Sequence, residues 1–129
     1  MMLSDLAVDF PELKVIAAHI GGIINWRPLA SPAAQQPNLY GDLAMWDHYA
    51  MIKYNLFCRE LRDVLDYVGP PKVLFGTDNP LFSIVEPTWN WIQLLKNLPS
   101  NTPDGIIFTQ DEVDAILGGN AAHLLRMKQ

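Results

Sequence analysis

The chain has 129 residues, about one ordinary domain, and half of them are hydrophobic, enough for a buried core. A formal net charge of −5, with nine scattered Lys and Arg residues, argues against nucleic acid or anionic membrane as partner. The single cysteine, Cys58, excludes an internal disulfide; with an acidic start unlike a signal peptide and no apolar run near the roughly 20 residues that cross a bilayer, the expected location is cytoplasmic.

In chain order, residues 2–9 read as a short helix stopped by Pro11. Residues 13–19 read as a strand, apolar throughout after Lys14. Gly21-Gly22 opens a loop, and Pro28, Pro32 and Pro37 leave room for at most a short helical turn before residue 38. Residues 38–43 form a weaker strand candidate. Residues 46–68 predict one long amphipathic helix, with Ala50, Tyr54, Phe57, Leu61, Val64, Leu65 and Val68 on one face, ended by Gly69-Pro70-Pro71. Residues 72–77 form the third strand, and 87–97 a helix starting at Pro87. Thr109 and Glu112 have the spacing of a capping box. The helix they open ends at Gly118-Gly119, and Asn120 caps a last one over 121–127. Strands separated by such crossovers pair in parallel, so their carboxyl ends share one rim, where α/β folds bind ligands.

Two side chains stand at that rim: His19 after the first strand and Asp78 after the third. A carboxylate at the end of a buried strand needs a cation, a proton or hydrogen-bond donors. An imidazole beside it can ligate a metal or move protons near neutral pH. The plainer alternatives are a hydrogen-bonded structural histidine and an Asp-Asn-Pro turn. The other chemistry-bearing residues read as less functional. His48 is solvated and His123 structural. Asp42 reads as a turn residue, with a place at the rim as its alternative, and Arg27 as a surface arginine, with an anionic substrate above the rim as its alternative. Trp46, Trp89 and Trp91 belong to core or interface, and Cys58 is buried filler.

Phe10-Pro-Glu-Leu-Lys-Val-Ile-Ala-Ala-His19-Ile-Gly-Gly resembles the sixth strand of the amidohydrolase-related proteins, the group that includes decarboxylases of the aminocarboxymuconate-semialdehyde type. Pro37-Asn-Leu-Tyr-Gly-Asp42 resembles their seventh strand and Lys72-Val-Leu-Phe-Gly-Thr-Asp78-Asn-Pro their eighth. Ile116-Leu-Gly-Gly-Asn120-Ala-Ala resembles the closing helix. The resemblance implies an α/β fold, a partial (β/α)8 TIM barrel of roughly strands 6–8 with flanking helices, with residues 1–129 as the carboxyl-terminal portion of the barrel domain. It implies a divalent metal, usually zinc, contacted by Asp78, which also takes part in proton transfer. His19 would orient water or protonate substrate beside it. The activity implied is a metal-dependent hydrolase of C–N or C–O bonds, or a decarboxylase, acting on a small molecule.

Departures from the pattern bear on that activity. A whole barrel takes about 250 residues, and no His-x-His pair occurs in this sequence. One Asp and one His would hold a metal weakly, so this chain alone is expected to be inactive. It would need a missing amino-terminal half, or a homo-oligomer formed through exposed strand edges. The alternative function is a non-enzymatic interaction module using those edges. A receiver-type domain with Asp78 as phosphate acceptor is a third reading, but it lacks the paired acids and late lysine such a site needs.

Overall fold

The computed structural model describes residues 3–80 and 87–127. Three short strands, β1 (Val15–Ala17), β2 (Leu39–Asp42) and β3 (Val73–Leu74), form a parallel sheet in the order β1-β2-β3. Val15 faces Leu39 and Ala17 faces Gly41; Gly41 faces Val73 and Asp42 faces Leu74. Helix α1 (Leu3–Asp9) precedes the sheet. Helix α2 (Arg27–Gln35) joins β1 to β2, and α3 (Trp46–Ile52) with α4 (Tyr54–Val68) joins β2 to β3. Then come α5 (Thr88–Lys96), α6 (Gln110–Asp114), a π-helical turn at Ala115–Gly119, and α7 (Asn120–Leu124). No helix among the described residues is long and apolar enough to cross a membrane.

The order of the strands agrees with the expectation, but the first crossover and several boundaries do not. The segment after Gly22 holds a nine-residue helix, α2, rather than a turn. Pro28 lies in its first turn, where an N–H has no helical partner anyway. Pro32 does lose a bond, but Ala30 and Ala33 bury fully against the core, and that packing outweighs the loss. The long helix is broken at Lys53, whose φ and ψ are −144° and 57°. Trp46, Ala50, Phe57 and Leu61 keep one buried face across the break. Periodicity therefore continues through it, and neither Gly nor Pro marks it.

The strands are shorter than expected because the chain turns early at the rim. Residues 18–21 form a 3₁₀ turn in which His19 and Ile20 take left-handed φ of 60° and 44°. β1 also buries only one face. Val15 and Ala17 are enclosed, whereas Ile16 is 47% exposed. Asn120 is not an N-cap but the first residue of α7. Its side-chain amide donates to the carbonyls of Pro70 and Val73, each at 2.7 Å. Phe75 N–H donates to Ile116 O at 3.1 Å. Leu74 O is used on the β2 side by Leu43 N–H, so Val73 and Phe75 present the opposite edge. The segment after α6 therefore closes the outer edge of β3.

One continuous core links the helices to the sheet, running from Ala7 to Ile116. Trp46, Phe57 and Trp91 stack edge to face within it, with ring centroids 6.5 and 5.6 Å apart. Buried Asn38 fastens α1 to β2, its side-chain amide donating to Ala7 O, Phe10 O and Leu13 O. The expected capping box is present: Thr109 Oγ1 accepts from Glu112 N–H, and Glu112 accepts from Thr109 N–H. Glu112 also takes both terminal nitrogens of Arg62, at 2.8 and 3.0 Å, clamping α6 onto α4.

The hydrogen bonds from Arg62, ahead of those from Thr109, hold the Glu112 carboxyl below its usual range. A carboxyl depressed in the folded state stabilises above its unfolded pKa, about 4.3. That contribution is lost as pH falls through the lower folded value. Glu112→Gln should thus lower Tm at neutral pH and flatten the acid limb of the Tm profile below about pH 5. A variant profile parallel to the wild type would contradict the clamp.

Candidate active site

The carboxyl ends of three parallel strands meet on one edge of the sheet. β2 ends at Asp42, a half-buried carboxylate. Its Oδ1 accepts His19 N–H at 2.8 Å and Ala44 N–H at 3.0 Å. The second bond is the Asx turn expected of Asp at a strand end. The first reaches across 23 residues and ties the β1 loop to the β2 loop. Both glycines beside it are sterically required. A Cβ on Gly41 would lie 2.5 Å from Ile20 Cγ1, and a Cβ on Gly76 would lie 2.9 Å from Ala44 N and 3.1 Å from Asp42 Oδ1.

His19 is half-buried at the rim, two residues beyond β1. Its Nδ1 lies 3.2 Å from Ala44 O. A carbonyl only accepts, so Nδ1 carries the proton and donates, and Nε2 is the basic nitrogen. Trp46 Nε1–H donates to His19 O at 2.9 Å, and Trp91 Nε1–H donates to Gly76 O at 3.1 Å. The aromatic trio thereby grips the backbone of two rim loops.

Asp78 lies four residues beyond β3, half-buried, with a left-handed φ of 53°. Its neighbours secure the turn: Asn79 N–H donates to Thr77 Oγ1 at 3.3 Å, and Asn79 Nδ2 donates to Thr88 Oγ1 at 2.7 Å. Among the described residues, the Asp78 carboxylate takes part in no hydrogen bond or ion pair and has no direct bond to His19. The Oδ1 atom of Asp42 is engaged by two backbone donors; among the described residues the Asp78 carboxylate has no such donor. The same parallel sheet brings both loops to one edge, and Gly76, two residues before Asp78, packs on Asp42.

Among the described residues, no group of three or more His, Cys, Asp or Glu side chains is placed to hold a metal ion. His19 and Asp78 do not fit a metal by themselves.

The remaining candidates divide as their chemistry dictates. Arg27 is on the surface, paired with Glu60 at 2.8 Å and Asp63 at 3.2 Å. His48 and His123 are exposed. Trp46 and Trp91 are core, while Trp89 is 65% exposed. Cys58 is buried, and burial pushes its thiol above its usual pKa, away from thiolate chemistry. Asp42 is the residue that sequence reasoning undervalued. Its turn role was legible, but its bond to His19 was not, because that contact is long-range.

Asp42→Ala should cost about 2 kcal/mol in urea unfolding by stranding the His19 and Ala44 amides. Asp42→Asn should cost under about 1 kcal/mol, since an amide oxygen still accepts both. Equal losses in the two variants would contradict the bridge.

A family model described as amidohydrolase matches residues 1–127. Two crystal structures of an amidohydrolase from Burkholderia multivorans share the fold. The first, with bound zinc, has a TM-score of 0.67 at 18% identity, covering 98% of this chain and 48% of that one. The second, with bound HEPES, has a TM-score of 0.68 at 17% identity, covering 98% of this chain and 49% of that one. This chain therefore spans about half the length of the structures it resembles, and its three-stranded sheet corresponds to part of an amidohydrolase barrel. No curated protein matches it.

Proposed function

This chain belongs to the amidohydrolase family, and from that premise we propose that it forms the carboxyl-terminal part, strands six to eight, of a metal-dependent hydrolase acting on a C–N or C–O bond of a small molecule. The observation that carries this reading is the contrast between the two rim carboxylates. Oδ1 of Asp42 is engaged in holding loops, whereas the Asp78 carboxylate, at the same edge, accepts no hydrogen bond among the described residues.

In this reading Asp78 accepts the proton of the attacking water. His19 is held by its Nδ1 bond to Ala44 O, so Nε2 faces the reaction as proton acceptor or, once protonated, donor to the leaving group. A divalent metal, zinc in one of the resembled structures, would supply Lewis acidity when bound. Asp78 would be this chain's contribution to such a centre, with the other ligands on strands outside this chain. Those strands would be supplied by an amino-terminal barrel half, which would also pair with the β1 edge and cover Ile16. Small-molecule specificity then arises partly from loops this chain provides and partly from loops it does not.

The test is reconstitution. The chain is co-expressed with an amino-terminal barrel half bearing a His-x-His strand, loaded with zinc, and assayed on amide, ester and lactone substrates. Hydrolysis should appear only with both halves. Asp78→Asn and His19→Ala should each lower kcat by about 100-fold or more. Reconstituted activity unchanged by both substitutions would remove the assigned roles.

A further inference from the structure

A cavity of about 380 Å³ opens beside His19, between the loop after β1 and the start of α3. Ile23, Ile24, Met45, Trp46 and Tyr49 are five of its ten lining residues. None of its lining residues is Asp, Glu, Lys or Arg. That sets it apart from the cavity at Trp26, Arg27, Asp63 and Asp66, whose cation is already paired to its own acids. Two apolar side chains are held open at its mouth: Ile24 is 66% exposed and Met45 37% exposed. The backbone around it is strained. His19, Ile20 and Met45 all adopt left-handed φ, which β-branched and long side chains avoid. Such conformations persist where surrounding structure holds a site in place.

We infer that this cavity is a specificity pocket for a neutral, apolar group of the substrate, an aromatic ring by its size and walls, set next to the bond that His19 acts on. The inference rests on the hydrolase reading of this rim and adds a substrate class to it. An aromatic group entering here sheds water against Ile24, Met45 and the rings of Trp46 and Tyr49. A carboxylate entering here would find no Lys or Arg among the lining side chains. The rim therefore selects aryl amides or esters over substrates that place an anion in this cavity.

Benzamide, benzoate and acetamide are the probes, titrated into the 129-residue chain while methyl and indole resonances are followed by NMR. Benzamide should shift Ile24, Met45 and Trp46 signals saturably. Benzoate and acetamide should each bind about tenfold more weakly. Ile24→Asp and Met45→Asn alter exposed positions, and Asn suits the left-handed backbone at 45. Each should weaken benzamide about tenfold with an unchanged circular-dichroism spectrum. Benzoate binding as well as benzamide, benzamide shifting signals only elsewhere, or no saturable shifts would overturn the pocket irrespective of the variants. Saturable binding without any reconstituted hydrolysis would keep the pocket and remove the hydrolase. Aryl-amide hydrolysis unaffected by Ile24→Asp would do the reverse.

Discussion

The Oδ1 atom of Asp42 holds the rim together. It accepts one N–H from the loop after β1 and another from the loop after β2, and Gly76, from the loop after β3, packs where any side chain would strike it. Three segments far apart in sequence converge on one half-buried charge. Hydrogen bonds to a carboxylate are stronger than those to neutral acceptors, so a single atom can fix a loop that has little regular structure. The left-handed turn at His19 and Ile20 follows from that tie, because the chain must double back over Gly41 to present His19 N–H to β2.

Beneath the rim, the Trp46–Phe57–Trp91 cluster turns hydrophobic burial into positional precision. The rings bury almost completely, and both indole N–H groups point out of the core to rim carbonyls, those of His19 and Gly76. Helices α3, α4 and α5 thus hold the histidine loop and the base of the aspartate loop through one packed unit. The sheet's two edges are treated differently. The outer edge of β3 is closed by Ile116 and Asn120. On the β1 side, Val8, Phe10, Leu13 and Ile16 stay exposed. The open β1 side leaves room for a further strand; the closed β3 edge departs from the two exposed edges expected of an opened barrel, in which the last strand would pair with the first.

Much of this was legible from residue order alone. The three strands, their parallel pairing and the capping box at Thr109 follow from local pattern, and so does the amphipathic face from Ala50 to Val68. The misjudged features share one physical character: they are decided by tertiary contacts. Prolines 28 and 32 argue against α2, yet Ala30 and Ala33 find a core that repays the lost bond. The break at Lys53 leaves no trace in hydrophobic spacing, because the buried face carries on through it. Asn120 looks like a cap from its neighbours and is an edge-strand clasp in space. At the site, His19 and Asp78 stood out by residue type, but the partner that sets the His19 tautomer is not local in sequence.

The rim depends most on the bridge made by Asp42, and amide hydrogen exchange of His19 and Ala44 reports on it directly. Both amides should exchange far more slowly than that of exposed Ile24, and both should lose protection together in Asp42→Ala. Exchange of the His19 and Ala44 amides at unprotected loop rates in the wild-type protein would contradict it, and would remove the physical basis for a fixed histidine at this rim.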